Sequence, residues 1–200
     1  MHEKSYPAGT IGAWTHIMGR LPIPPPLLYN SINGSASVGY DPVKKTFAPG
    51  SFSKGWTHLL QTRHTVEEFF YNAGNGAAAF GFDPPVRLFP PGSFSTGWTH
   101  IAVGPSADVA RDEILFYNSN LRSGAIATVG FDVNTFVTTH SWGGGSFDAW
   151  THVVGTKHSW FFYNKASGKA VVATRKNGQL ASTNFTLRPG WTHVVSSGRD

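Results

Sequence analysis

One tripeptide, Trp-Thr-His, recurs five times along the chain and limits what it can fold into more than any other feature. The copies are Trp14-Thr15-His16, Trp56-Thr57-His58, Trp98-Thr99-His100, Trp150-Thr151-His152 and Trp191-Thr192-His193, spaced by 42, 42, 52 and 41 residues. Between successive copies stands one Tyr-Asn pair: Tyr29-Asn30, Tyr71-Asn72, Tyr117-Asn118 and Tyr163-Asn164. A small-residue segment follows each pair, at Gly34-Ser35-Ala36, Gly76-Ala77-Ala78, Gly124-Ala125-Ile126 and Gly168-Lys169-Ala170. Three repeats continue with Gly-aromatic-Asp, at Gly39-Tyr40-Asp41, Gly81-Phe82-Asp83 and Gly130-Phe131-Asp132, and Gly-Ser-Phe precedes the middle three Trp-Thr-His motifs. Self-similarity at a fixed period of this size signals a repeat architecture in which each unit buries its faces against its neighbours.

The second repeat shows what one unit contains. Residues 56–63 alternate, with Trp56, His58 and Leu60 expected on one face and Thr57 and Leu59 on the other. Residues 66–72 are rich in aromatics, 76–82 are small and apolar, and 86–89 supply a fourth candidate strand. Gly, Pro, Asn and Asp punctuate the gaps. No helical apolar stripe of useful length occurs, and residues 106–113 have room for a turn or two at most. Four short strands per 42–52 residues predict an all-β fold, a β-propeller of about four to five small antiparallel blades. The repeats fall at about 8–49, 50–91, 92–143 and 144–184, with a partial unit at 185–200, in a single domain. Five Trp-Thr-His strands against four Tyr-Asn hairpins leave one terminus to complete a blade begun by the other. The alternative is completion by a second chain, which gives a homo-oligomer.

Composition narrows the function. With 14% charged and 14% aromatic residues the chain is not of the disordered class. No cysteine means no disulfide framework and no thiolate metal site. The net charge of +5 is scattered in pairs such as Lys44-Lys45 and Arg175-Lys176, which argues against a nucleic-acid partner. No apolar run is long enough to insert into a membrane, and residues 1–7 lack the apolar core of a signal peptide, so a cytoplasmic protein is expected. Catalytic signatures are missing. The adjacent acids Glu67-Glu68 and Asp112-Glu113 give no spaced carboxylate pair, and there is no nucleophile elbow, phosphate loop or His-Glu-x-x-His. The chain therefore reads as a non-enzyme without a cofactor. Asn184-Phe185-Thr186 matches a glycosylation acceptor and is discounted without an export signal.

Each recurring side chain carries a packing reading and a binding reading. An indole fills the wedge between sheets, or offers a flat apolar platform to the C–H face of a sugar. The His bonds between strands, donates to sugar hydroxyls or, as one of five around an axis, ligates a metal. The Asn supports a turn or presents an amide to a ligand. On the binding reading the carbohydrate contacts are Trp14, His16, Asn30, Trp56, His58, Asn72, Trp98, His100, Asn118, Trp150, His152, Asn164, Trp191 and His193, with no metal.

The Trp-Thr-His, Phe-Phe-Tyr-Asn and Gly-Ala modules over residues 8–197 resemble the repeats of β-propeller lectins, the tachylectin-type and related fungal and bacterial sugar binders. That resemblance implies metal-free sugar pockets at or between blades, glycan partners, multivalent agglutination and a role in defence. The competing expectation is a structural or protein-interaction propeller with no sugar site.

Overall fold

The computed structural model describes residues 12–19, 25–39, 43–63, 67–81, 84–85, 87–105, 111–130, 136–176 and 179–195. Among them there are sixteen strands and no helix. The first sheet holds β1 (His16–Met18), β2 (Leu27–Asn30), β3 (Ser35–Val38) and β4 (Lys45–Phe47). The second holds β5 (His58–Gln61), β6 (Glu68–Tyr71), β7 (Ala78–Gly81) and β8 (Arg87–Phe89). The third holds β9 (His100–Gly104), β10 (Arg111–Asn118), β11 (Ser123–Gly130) and β12 (Phe136–Trp142). The fourth holds β13 (His152–Gly155), β14 (Trp160–Tyr163), β15 (Lys169–Lys176) and β16 (Gln179–Thr186). Every sheet is an antiparallel meander in chain order. The first strands of successive sheets touch, β1 to β5, β5 to β9 and β9 to β13. This arrangement is consistent with a small-blade, β-propeller-like fold.

One register recurs in every sheet. His16 faces Tyr29, His58 faces Tyr71, His100 faces Tyr117 and His152 faces Tyr163. After each Tyr the chain turns on its Asn, whose side-chain oxygen accepts the amides two and three residues on. Asn30 takes those of Ile32 and Asn33, and Asn164 those of Ala166 and Ser167. The last residue of the turn is left-handed, at Gly34, Gly76 and Gly168, with φ of 71°, 71° and 74°. A Cβ there would overlap the carbonyl oxygen of Phe52, Phe94 or Leu187, so only glycine fits. In the third sheet the residue with this role is Arg122 (φ 54°), whose carbonyl accepts the Phe147 amide as Gly34 accepts that of Phe52. Aligning Gly124 with the other turn glycines was therefore two residues out. Gly124 instead pairs with Tyr117, the place held by Ala36, Ala78 and Ala170.

Burial explains why the meanders associate. Phe69, Phe70, Tyr71 and Phe80 of the second sheet are fully buried, and its two faces enter different cores. Phe70 and Ala79 join Leu27, Tyr29 and Phe52. Phe69, Tyr71 and Phe80 join Ile114, Phe116 and Ala127 of the third sheet. A third core unites Leu115, Tyr117 and Ile126 with Trp160, Phe162 and Val171. Edge-on pairs such as Tyr29 with Phe70 and Tyr71 with Phe116, both at 6.2 Å, each contribute about 0.5–1.5 kcal/mol beyond area burial. Burial also pushes the phenols of Tyr29 and Tyr71 up to about 12.

Three expectations need amendment. The first strand of the second repeat starts at His58, so Trp56 lies before the alternation and packs with Leu59 and Phe70 instead of sharing a face with Leu60. Of the residues reserved for a turn, 111–113 belong to β10, while 106–110 lie outside the described residues. The aromatic-Asp pairs at 40–41, 82–83 and 131–132 also lie outside them. The fifth Trp-Thr-His segment, residues 191–195, belongs to no strand.

Candidate functional site

The motif histidines form a ladder from sheet to sheet. His16 Nε2 donates to the Thr57 carbonyl at 3.1 Å, His58 to Thr99 at 3.1 Å, His100 to Thr151 at 3.1 Å and His152 to Thr192 at 3.0 Å. A carbonyl only accepts, so Nε2 carries the proton; Nδ1 lies 2.8–2.9 Å from its own Thr hydroxyl, whose single proton is shared with the carbonyl of the facing Tyr at 3.1 Å. The same Thr oxygens accept the amides of Ser31, Ala73, Ser119 and Lys165 from the turn of the sheet. Burial lowers the pKa of His58 and His100 below the ordinary imidazole value; the bond to the next carbonyl opposes this and the neighbouring motif histidines reinforce it. His16, His58, His100 and His152 thus spend both ring nitrogens inside the fold. No group of three or more His, Cys, Asp or Glu suited to a metal ion exists among the described residues.

The tyrosines and asparagines fasten each motif to its sheet. The hydroxyls of Tyr29, Tyr71, Tyr117 and Tyr163 donate to the carbonyls of Ser53, Ser95, Asp148 and Arg188 at 2.7–2.8 Å. The hydroxyls of Tyr117 and Tyr163 also accept the amides of Trp150 and Trp191, and the backbone of Trp56 and Trp98 bonds Tyr29 and Tyr71 in the same way. Asn30 and Asn164 donate through Nδ2 to the Ala13 and Ala149 carbonyls just before the motif Trp, and Asn72 and Asn118 accept turn amides as the others do.

The indoles divide. Trp56 and Trp150 are sealed, at 5% and 4% exposed. Trp14 and Trp98 are half-buried, and Trp191 is open at 44%. Over Trp150 lies the Lys169 ammonium, 5.8 Å from the ring centroid and 2.5 Å from Asp148 Oδ2. The second and third sheets carry Ser95 and Ser123 at those two places, as the tyrosine bonds and turn register align them. Beside Trp98 a groove of about 420 Å³ runs between the second and third sheets. Phe89, Phe94, Phe116 and Phe136 give it an apolar floor, and Ser93, Ser95, Thr138 and Ser141 bring hydroxyls. Trp142 lines it as well while also packing on the core between the third and fourth sheets.

Of the residues named from the sequence as sugar contacts only Trp98 lines this groove, and sequence reasoning did not name the rest of its lining. A signal existed: Trp142 stands on the outer strand where the other repeats have Phe47, Phe89 and Phe185. The adjacent acids tie sheets together. Asp112 accepts the Arg63 amide, and Glu113 takes a bidentate contact from Arg175 at 2.8 and 3.0 Å.

No family model matches the sequence, and no curated protein matches it.

Proposed function

We propose that the protein binds carbohydrate, with the groove between the second and third sheets as its site. One observation carries this reading: the half-buried Trp98 borders an open apolar channel rimmed by four hydroxyl side chains. A pyranose needs that combination, since its C–H face stacks on an aromatic plane while its hydroxyls exchange hydrogen bonds along the edges. The volume suits one or two sugar rings. In this reading Trp98 is the platform, Ser93, Ser95, Thr138 and Ser141 the polar rim, and the His ladder the frame that fixes the spacing of the sheets. No step requires a metal or a reaction. Multivalent glycan binding and agglutination then require copies of this groove presented together.

A second reading, a scaffold propeller that binds a protein partner, is favoured by one fact: the four ladder histidines and the sealed Trp56 and Trp150 are consumed by the fold. A glycan array with the wild-type protein and the Trp98→Ala variant separates the two. Binding that Trp98→Ala lowers at least tenfold, with indole fluorescence shifting on titration, supports the lectin reading. Folded protein that ignores every glycan removes it.

A further inference from the structure

The fifth Trp-Thr-His segment has made half of the contacts its predecessors make. On the near side it is in place. The Thr192 carbonyl accepts from His152, the Trp191 amide reaches the Tyr163 hydroxyl at 3.2 Å, and Thr192 Oγ1 sits 2.9 Å from His193 Nδ1. On the far side its fittings are unmatched among the described residues. No second strand runs beside residues 191–195, His193 Nε2 reaches no carbonyl, and no turn amide bonds the Thr192 hydroxyl. The face of the fourth sheet behind it is covered at Tyr163 and Ala170 and only partly covered farther along. Leu27, Phe69 and Leu115 are fully buried at the place where Phe161 is only partly covered. Phe185, in register with Phe47, Phe89 and Trp142, is 36% exposed.

At the other end of the molecule, β1 occupies the slot that such a segment fits. It is three residues long, and its Ile17 is 71% exposed although Leu59, Ile101 and Val153 at the same register are partly buried. The interface repeated three times inside the chain sets the rule: the face of one sheet takes the next sheet, whose first strand is a Trp-Thr-His segment. If the first sheet of a second copy docks on the fourth sheet, residues 191–195 and that copy's 14–18 claim one place on β2.

We infer that two copies associate head to tail by strand exchange, with Trp191–Val195 of one chain replacing Trp14–Met18 on β2 of the other. Each missing contact then acquires a partner of the type already used within the chain. His193 Nε2 meets the Thr57 carbonyl, the Thr192 hydroxyl meets the Tyr29 carbonyl and the Ser31 amide, and the partly covered aromatic face meets the first sheet. The His ladder runs unbroken from one chain to the other. Two chains placed this way bring together eight four-stranded sheets, within the usual range for propellers. This rests on the repeat geometry and not on the sugar reading.

The chain has no cysteine, which makes a crosslink test clean. Ile17 pairs with Leu28, so strand exchange places Val194 opposite Leu28 of the other copy. Leu28→Cys and Val194→Cys proteins are mixed, oxidised and weighed, beside the wild type measured by light scattering at micromolar concentration. The expected results are a wild-type mass of two or more times 21.7 kDa and a disulfide joining two chains through positions 28 and 194. His193→Ala, which among the described residues loses a hydrogen bond to Thr192 alone, weakens the association about fivefold. A wild-type mass of one chain, a 28–194 bond formed only within a doubly substituted chain, or association without the interchain 28–194 bond overturns the inference.

Discussion

The interface between the second and third sheets and the one between the third and fourth are built from the same motif, yet one is open and the other sealed. Both have an indole before the first strand, a Phe in the loop ahead of it, and a His–carbonyl bond across the sheets. Two rim side chains differ between them, although Trp56 is sealed with Ser53 and Ala77 at the same two places. At the sealed interface Lys169 and Asp148 close over Trp150, and at the open one the corresponding residues are Ser123 and Ser95. A repeat thus supplies a uniform frame, and small departures at its rim decide which wedge is packing and which is a groove.

The largest test of that contrast is to delete each indole. Trp150→Ala empties a sealed core position and is expected to cost about 3–5 kcal/mol in urea unfolding. Trp98→Ala, at a half-buried site, should cost clearly less while lowering the proposed glycan binding; equal losses would erase the distinction between the two interfaces.

Acid is expected to act on both interfaces alike. His58 links the second sheet to the third and His100 the third to the fourth, and both have lowered pKa values in the folded state. The folded form therefore binds fewer protons than the unfolded form below the ordinary value of 6.5. Stability is retained above that pH and lost as pH falls from it toward the folded values. Denaturation midpoints measured from pH 8 to pH 5 should decline through this window, and His58→Gln with His100→Gln should flatten the decline. A profile unchanged by both substitutions would remove the ladder as its cause.

A smaller effect is expected at Arg122, the one non-glycine residue with positive φ among the described residues and part of the turn against the loop leading to Trp150. Arg122→Gly relieves a left-handed conformation and should gain about 0.5–1 kcal/mol, after the entropy glycine adds to the unfolded chain. Loss of stability there would mean that the arginine side chain contributes more than its backbone costs.

Smallest in energy is Lys169→Ala. The pair with Asp148 is about half exposed on both sides and is worth well under 1 kcal/mol. Acrylamide quenching of Trp150 should nonetheless rise toward that of Trp98, turning the sealed interface into a copy of the open one. Unchanged quenching would show that the ion pair is not the cover.

Much of this was legible in the residues. The period of the Trp-Thr-His motif and the turn signals between strands gave the strand count of each repeat, and Tyr-Asn marked the hairpin ends. The third repeat misled because Arg122 occupies a turn position where its siblings carry glycine, and Gly124 offered a false match nearby. Trp56 misled because alternation was extended into a segment that precedes the strand.

What the sequence alone determined is the local and periodic part: short strands, tight turns and about four strands to each repeat; the number of sheets and the place of the fifth motif it left open. Only the tertiary structure decided which indoles face solvent, where the His nitrogens go and which residues frame the groove. The reason is physical. Strand and turn preferences act between neighbours along the chain, and a repeated motif reports them faithfully. Exposure of a side chain is set by atoms the fold brings in from elsewhere, such as Lys169 over Trp150 and Leu115 and Tyr117 of the preceding sheet in the same core, and identical motifs do not share those neighbours.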